Sequence, residues 1–265
     1  MTVPPPEAAA HYLPLAGATV YCLDTGGEGQ PVLLLHPNTG TSESWAFQIS
    51  ALASHGFRVI AFDRRGCGRS ICEVPSGDVP PCADDIEAIA DILGLQSYFV
   101  IGAAAGAFVA IDLASCRPSR LRGVVFAMSN GGFSEPEIET AFERIKPPYD
   151  TIRDKMIAEL SPDYRARSPE GAVRWLEILE NRNSRARGWP KLLRSPNTFS
   201  KLARIEVPTL VIAGGADMLS PPSLMRMWVK YVRNAQFKVI HDAGHCAHWE
   251  RPADFNEIVL TFLRG

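Results

Sequence analysis

Short apolar segments alternate with helical segments along most of the chain, and this alternation limits the possible folds more than any other feature. The apolar segments are nearly uninterrupted, a pattern typical of strands buried on both faces of a parallel sheet. Strands are predicted at Thr19–Asp24, Val32–Leu35, Arg58–Phe62, Tyr98–Ile101, Gly123–Met128, Thr209–Ala213 and Phe237–His241. Helices, predicted from apolar residues at three- and four-residue spacing, fall at Ser42–Ser54, Cys82–Leu93, Ala105–Ser115, Pro222–Val232 and Pro252–Leu263. The order predicts an α/β fold with a mostly parallel, doubly wound sheet.

The alternation stops between residues 131 and 204. Charged residues, prolines and helix formers dominate there, in stretches such as ETAFERI and GAVRWLEILENR. A structureless loop of this length would leave too many backbone polar groups unpaired inside a core, so we expect helices that cover the ends of the strands. Residues 131–204 are therefore predicted to form a helical lid, called the cap segment below, and residues 1–130 and 205–265 to form the α/β core.

Composition and charge exclude several classes of function. The chain has 27 Lys and Arg against 29 Asp and Glu, and it has no basic stripe, so we expect no nucleic-acid partner. Its apolar runs are far shorter than the roughly 20 residues that span a bilayer, so no membrane partner is expected. The N-terminal MTVPPPEAAA lacks the pattern of a secretory signal, which favours a cytoplasmic location. The six cysteines show no paired spacing for a metal.

One strand-turn-helix segment, YFVIGAAAGAFVAIDLA, carries Gly102 and Gly106 on either side of three alanines. Small residues at such a turn allow a helix to pack closely on a sheet. The same spacing is that of a G-x-S-x-G nucleophile elbow, in which a strained turn projects the central side chain above the sheet. In this chain the central residue is Ala104.

Four further segments accompany this turn, and together they resemble the α/β-hydrolase superfamily in order and spacing. The segments are LLLHPNTGTSESW, FDRRGCGRS, VIAGGADMLSPP and HDAGHCAHWERP. The resemblance covers nearly the whole chain outside the cap segment, and it implies an α/β-hydrolase fold with a catalytic triad and no metal or organic cofactor. It places Ala104 where the nucleophilic serine is expected, Asp217 at the acid and His245 at the general base.

The resemblance also implies an oxyanion hole of two backbone N–H groups. One belongs to Ala105, which follows the nucleophile position, and the other to Asn38 or Thr39 in the loop after the second predicted strand. Pro37 stands where the family commonly has glycine after histidine, which leaves the choice of the second donor open.

Substrate contacts are predicted for Thr39 and for three aromatic residues of the cap segment, Tyr149, Trp175 and Trp189. Core packing is the commoner use of aromatic residues at helical spacing. A pair of cap tyrosines, Tyr149 and Tyr164, would alternatively suit an epoxide hydrolase, although that class needs an aspartate at position 104.

Other polar residues of these motifs have structural interpretations. His241 and His248 are weaker candidates for the base, because one falls inside a predicted strand and the other at the start of the last helix. Arg64 and Arg65 belong to a glycine-rich turn, where an arginine commonly pairs with a carboxylate. An aspartate in a turn such as GGAD also often serves only to cap the turn.

Ala104 excludes covalent catalysis through its own side chain, since a methyl group has no atom that can attack a carbonyl. We favour a serine hydrolase of small to medium carboxylic esters or lactones that is inactivated by alanine at this position. A hydrolase of carbon-carbon bonds, acting on a β-diketone or a ring-cleavage product, is the alternative. A ligand-binding protein, or a lyase in which His245 moves protons without a nucleophile, would also use this fold. The expected partner is a small molecule, and the sequence does not indicate an oligomeric state.

Overall fold

The computed structural model describes residues 8–75, 78–182 and 192–265. Its strands are β1 Ala9–Leu15, β2 Ala18–Asp24, β3 Pro31–Leu35, β4 Arg58–Phe62, β5 Ile71–Cys72, β6 Tyr98–Ala103, β7 Leu121–Ala127, β8 Thr209–Gly214 and β9 Gln236–Ile240. They form one sheet in the order β1-β2-β4-β3-β6-β7-β8-β9, with β5 beside β2. The ladders from β4 to β9 are parallel, whereas β2 runs antiparallel to its neighbours. The predicted α/β fold with a mostly parallel sheet is confirmed.

Helices cover both faces of this sheet. They are α1 Ala46–Ser54, α2 Cys82–Ile92, α3 Ala105–Cys116, α4 Pro136–Ile145, α5 Ile152–Glu159, α6 Pro162–Arg167, α7 Pro169–Asn181, α8 Phe199–Leu202, α9 Pro222–Val229, α10 Ala247–Glu250 and α11 Pro252–Leu263. One apolar cluster joins α2, α3 and α9 to the sheet, and a second joins α1 and α11 to the other face. Alternate residues of β3 point into the two clusters, Leu33 and Leu35 into one and Val32 and Leu34 into the other. None of the helices in the described ranges has the length and apolar character needed to cross a bilayer.

Two strands, β1 and β5, were not predicted from the sequence. Residues Ala9–Tyr12 of β1 are exposed, and the strand pairs with β2 at one edge of the sheet. It therefore lacks the continuous apolar run on which the other predictions rested. Strand β5 is only Ile71–Cys72, which is too short for any periodicity to show.

The cap segment is helical where the structure describes it, with α4 to α8 between β7 and β8. Its two ends are joined where the chain leaves the core, because Phe133 and Asn197 form an isolated parallel bridge. The Asn197 side-chain amide also donates to the carbonyl oxygens of Gly131, at 2.9 Å, and Phe108, at 3.0 Å. The division of the chain at residues 131 and 204 stays a prediction.

The order of the strands brings two distant loops to one place. Strand β3 lies between β4 and β6. After β3 the chain forms β4 on one side of it and later returns to form β6 on the other side. Leu35 near the end of β3 pairs with Gly102 near the end of β6. The loops that follow these strands diverge at the carboxyl edge of the sheet, which is where open α/β sheets bind their ligands.

Candidate active site

Ala104 occupies a strained backbone conformation between β6 and α3. Its φ is 49° and its ψ is −113°, a combination that costs a non-glycine residue about 1–3 kcal/mol and persists only where the surroundings enforce it. Here the Ala104 N–H donates to the carbonyl oxygen of Ala127 at 2.9 Å. The Ala104 carbonyl oxygen accepts a hydrogen bond from Ser129 Oγ, also at 2.9 Å. Both sides of the turn are therefore fixed by the neighbouring strand β7 and the loop after it.

Gly102 and Gly106 serve the same turn by close approach of the backbone. A Cβ atom on Gly102 would lie 2.4 Å from the carbonyl oxygen of Gly106. One on Gly106 would lie 2.0 Å from the carbonyl oxygen of Leu35. The close packing of α3 on the sheet and the sharp turn at Ala104 thus depend on the same two glycines.

His245 and Asp217 are in direct contact beside this turn. The Nδ1 atom of His245 lies 2.9 Å from Oδ2 of Asp217, and both side chains are buried. The other carboxylate oxygen of Asp217 accepts hydrogen bonds from the N–H groups of Leu219 and Ser220, each at 2.8 Å. Three donors on its two oxygens hold the carboxylate of Asp217 in place. A carboxylate at Nδ1 favours the tautomer in which Nδ1 carries the proton, which leaves Nε2 free to accept one.

Burial is the largest single influence on the pKa of His245, but several neighbouring groups together outweigh it. Burial alone lowers the pKa of a histidine, because the imidazolium loses its hydration. The charge and the hydrogen bond of Asp217 act in the opposite direction, together with the charges of Glu159 and Glu250. The pKa of His245 is therefore raised above its ordinary value of 6.5. The imidazole is a stronger base than a free histidine.

The predicted oxyanion loop lies opposite the N-terminus of α3. Ala105 is the first residue of that helix, so its N–H has no acceptor within the helix and lies at the positive end of the helix dipole. Arg64 holds the loop, because its Nη2 donates to Asn38 Oδ1 at 3.0 Å and to the Pro37 carbonyl oxygen at 3.4 Å. The choice between Asn38 and Thr39 as the second donor stays open.

The glycine-rich turn after β4 is structural, in agreement with the sequence interpretation. Arg65 forms a buried ion pair with Asp85, with 2.7 Å between the closest atoms. Asp63 accepts hydrogen bonds from the N–H groups of Ser42, at 2.7 Å, and Arg69, at 2.8 Å. The turn therefore ties the oxyanion loop region to the core.

A cavity of about 520 Å³ lies over Ala104 and beneath the cap segment. It is lined by Asn38, Thr39, Ala104, Ala105, Phe108, Ser129, Asn130, Phe142, Lys146, Pro147, Tyr149, Lys155, Glu159, Arg182, Leu219, Ser220 and His245. The structure thus brings six of the predicted site residues to one cavity, with Asp217 hydrogen-bonded to His245 behind it. No group of three or more His, Cys, Asp or Glu in the described ranges is placed to hold a metal ion.

Two aromatic residues of the cap segment lie elsewhere than predicted. Trp175 does not line the cavity; its side chain is fully buried against Trp249, and its Nε1 donates to Glu159 Oε2 at 3.0 Å. Tyr164 is buried in the same apolar cluster, so it cannot serve an epoxide in the cavity. Trp189 lies outside the described residues. The spacing of these residues along their helices could not separate the two possibilities, because a helix face in the core and a helix face on a pocket repeat with the same period.

The weaker histidine candidates do not compete with His245. His248 is completely buried against Trp45, and burial lowers its pKa to about 3, so it is neutral. Neither of its ring nitrogens has a hydrogen-bond partner among the described residues. His241 is exposed at the end of β9. His248 therefore packs in the core as predicted, whereas the prediction that His241 lies inside a strand and packs is wrong, because β9 ends at Ile240 and His241 is exposed in the turn that follows.

Sequence reasoning missed Glu159, a carboxylate in the cavity wall that is only 1% exposed. It accepts hydrogen bonds from the hydroxyl of Tyr149 and from Trp175 Nε1. Burial raises its pKa, and the charge of His245 and hydrogen bonds from Tyr149, Thr39 and Trp175 oppose that rise. In sequence it closes an ordinary helix in MIAEL, where a glutamate is normally solvated. Only its buried partners reveal it.

Comparison with known proteins assigns the family. A model of the alpha/beta hydrolase family matches residues 32–258, which is most of the chain. The chain belongs to the α/β hydrolase family. It is 25% identical over 261 residues to the 2-hydroxy-6-oxononadienedioate/2-hydroxy-6-oxononatrienedioate hydrolase 2 of Pseudomonas putida. The aligned region covers 91% of this chain and 90% of that protein.

Solved structures of the same fold include enzymes of two further types. A thermophilic esterase from Thermogutta terrifontis has a TM-score of 0.79 and 27% identity, over 93% of each chain. Est816, described as an N-acyl homoserine lactone degrading enzyme, has a TM-score of 0.77 and 26% identity, over 95% of this chain and 100% of that one. These similarities support hydrolase activity as a class, but the substrates that the names give differ among the three proteins.

Proposed function

We propose that the site belongs to a hydrolase of small to medium carboxylic esters or lactones, in which Ala104 occupies the position of the nucleophilic serine. The observation that carries this proposal is the backbone of Ala104, which has a φ of 49° beside a histidine already paired with an aspartate. Alanine has no reactive atom for such a turn to present. The same turn under a serine hydroxyl would aim that hydroxyl into the cavity.

The chemistry follows from the positions of the groups. A serine hydroxyl at position 104 would attack the substrate carbonyl while His245 Nε2 takes its proton, and Asp217 would stabilise the imidazolium that forms. The N–H groups of Ala105 and of Asn38 or Thr39 would hold the negative oxygen of the tetrahedral intermediate. His245 would return the proton to the leaving alcohol, and water would release the acid by the same steps. With Ala104 in place the site retains binding and proton transfer but not acyl transfer.

The test is to introduce the hydroxyl. Ala104→Ser is assayed against p-nitrophenyl butyrate and an N-acyl homoserine lactone, beside the chain with Ala104. We expect kcat/KM to rise at least about a thousandfold for one of these substrates. The double variant Ala104→Ser/His245→Ala is the control, and it should lose the gain. A folded Ala104→Ser protein without any gain on esters or lactones would contradict the proposal.

Hydrolysis of a carbon-carbon bond is the second candidate, and one feature of the cavity favours it. Lys146, Lys155 and Arg182 line the side formed by the cap segment, and cations there suit a substrate with carboxylates. The Pseudomonas putida relative acts, by its name, on a dioate, a compound with two carboxylates. Ala104→Ser should then cleave 2-hydroxy-6-oxononadienedioate with a higher kcat/KM than p-nitrophenyl butyrate. The reverse order would favour the ester or lactone hydrolase.

A further inference from the structure

Glu159 is buried among hydrogen-bond donors that carry no charge. Its side chain is in contact with the hydroxyl of Tyr149 and with Trp175 Nε1, the latter at 3.0 Å. No Lys or Arg among the described residues forms an ion pair with it. Removing a carboxylate from water is expensive unless a positive charge or several donors compensate. The donors meet part of this requirement, and a cation nearby would meet the rest.

Lys146, Lys155 and Arg182 line the same cavity, but the positive charge that acts on Glu159 is that of His245. The side chains of Glu159 and His245 both line this cavity, and Glu159 Oε2 lies 3.8 Å from Sγ of Cys246, the residue next to His245. The Cys246 N–H also donates to the backbone carbonyl oxygen of Glu159 at 3.2 Å. Main chain and side chain therefore both fix Glu159 against the histidine loop. A protonated imidazole would contact Asp217 through Nδ1, and its charge would act on Glu159 in the wall of the same cavity.

We propose that Glu159 is a positioning residue for His245. Its buried carboxylate adds a negative charge to those of Asp217 and Glu250 and, together with them, stabilises the protonated imidazole. Asp217 orients the ring through a direct hydrogen bond, whereas Glu159 acts through space from the cap segment. This role of Glu159 rests on the proposed function in one respect, which is that His245 acts as the base. A more basic His245 would take the nucleophile's proton more readily and would hold it until the leaving group departs.

Several other titratable or charged groups surround His245 and Glu159, and their effects must be separated from that of Glu159. They are Asp217 after β8, Glu250 and His248 in α10, Cys246 beside the ring, Tyr149 before α5, and Lys146, Lys155 and Arg182 in the cavity wall. Asp217 and Glu250 raise the pKa of His245 as Glu159 does. His248 adds no charge near neutral pH, because its pKa is lowered to about 3.

The experiment follows the imidazole itself, in the chain with Ala104. The protein is labelled with ¹³C at histidine Cε1, the His245 signal is assigned by its absence in His245→Asn, and its titration is compared in the unaltered chain and Glu159→Gln. We expect the pKa of His245 to be lower in Glu159→Gln by roughly half a unit or more. The matched control is Glu177→Gln, which removes an exposed carboxylate from α7 and should leave the titration unchanged. Equal titrations in Glu159→Gln and the unaltered chain would overturn the proposal.

A second measurement needs no substitution of Glu159, so it stands even if Glu159→Gln does not fold. Two coupled groups each show an inflection at the other's midpoint. In protein labelled at the glutamate carboxyl carbons, the Glu159 signal should therefore report the titration of His245 as well as its own. A Glu159 signal with no step at the His245 midpoint would contradict the role. Both measurements remain valid if Ala104→Ser fails to hydrolyse any ester or lactone, so failure of this inference and failure of the proposed function are distinguishable.

Discussion

The N–H of Cys246 donates a hydrogen bond to the carbonyl oxygen of Glu159 at 3.2 Å, which joins the residue after His245 to the main chain of the cap segment. A second connection runs through Glu250, whose carboxylate accepts from the N–H groups of Gly244, at 3.0 Å, and Ser161, at 3.1 Å. The histidine loop and the start of α6 are thereby cross-linked through buried groups. A change on either side of this connection should affect both.

Glu250→Gln tests that connection. The amide keeps the size of the side chain but offers one acceptor where the carboxylate offered two, so one backbone N–H is left without a partner. We expect the free energy of unfolding to fall by about 2 kcal/mol, measured by urea denaturation. Glu257→Gln, an exposed position on α11, is the control and should change it by less than about 0.5 kcal/mol. Equal effects of the two substitutions would show that the connection contributes nothing to stability.

Ala104→Gly should stabilise the protein. Glycine adopts a positive φ without the strain that alanine has there, and this gain of about 1–3 kcal/mol exceeds the added freedom of a glycine in the unfolded chain, about 0.5–1 kcal/mol. Urea denaturation should show a net gain of about 1 kcal/mol. Ala110→Gly, within α3, is the matched control and should destabilise by about 1 kcal/mol or more. A loss of stability in Ala104→Gly would mean that the backbone there is not strained.

Asp217→Asn should change how stability depends on pH. Burial lowers the pKa of His245, but the net effect in the folded protein is a raised pKa, and Asp217 contributes most to that rise. The stabilisation from a raised histidine pKa is complete below the unfolded value of about 6.5 and is lost as the pH rises through the folded value. The difference in unfolding free energy between the unaltered chain and Asp217→Asn should therefore be larger near pH 6 than near pH 9. A difference independent of pH would show that Asp217 does not favour the protonated imidazole over the neutral one.

Trp175→Phe should reduce stability and leave ligand binding nearly unchanged. The substitution removes the N–H that donates to Glu159 Oε2 and leaves a small gap among fully buried rings. We expect a loss of about 2 kcal/mol or more in urea denaturation. In calorimetry, the Kd of an ester that the chain with Ala104 does not hydrolyse should differ by less than about threefold between Trp175→Phe and the unaltered chain. A much larger Kd with unchanged stability would instead indicate that Trp175 contacts the substrate.

The sequence predicted the buried strands well because burial on both faces leaves a direct trace in composition. It could not predict β1, whose stability comes from pairing with β2 while its first residues stay exposed. For the site, the order of the motifs predicted that Asp217 and His245 would meet, and the structure places them 2.9 Å apart. Their catalytic roles stay proposals.

The cap segment was less predictable, because a helix presents one face to a cavity and another to a core with the same residue spacing. Trp175 was predicted to contact substrate, but its face packs against Trp249. Glu159 was not singled out, because a charged residue at a helix end is normally exposed, and only the fold shows that Tyr149 and Trp175 surround it. Tertiary packing, which sequence periodicity does not encode, decides such cases.

The ladder between β3 and β6 pairs Leu35 with Gly102, so the loop that carries Asn38 and the turn that carries Ala105 are spaced by main-chain hydrogen bonds. Nothing in that spacing depends on the side chain at position 104. The residue at position 104 can therefore change without a change in the framework that holds the two loops apart, because main-chain pairing sets that framework.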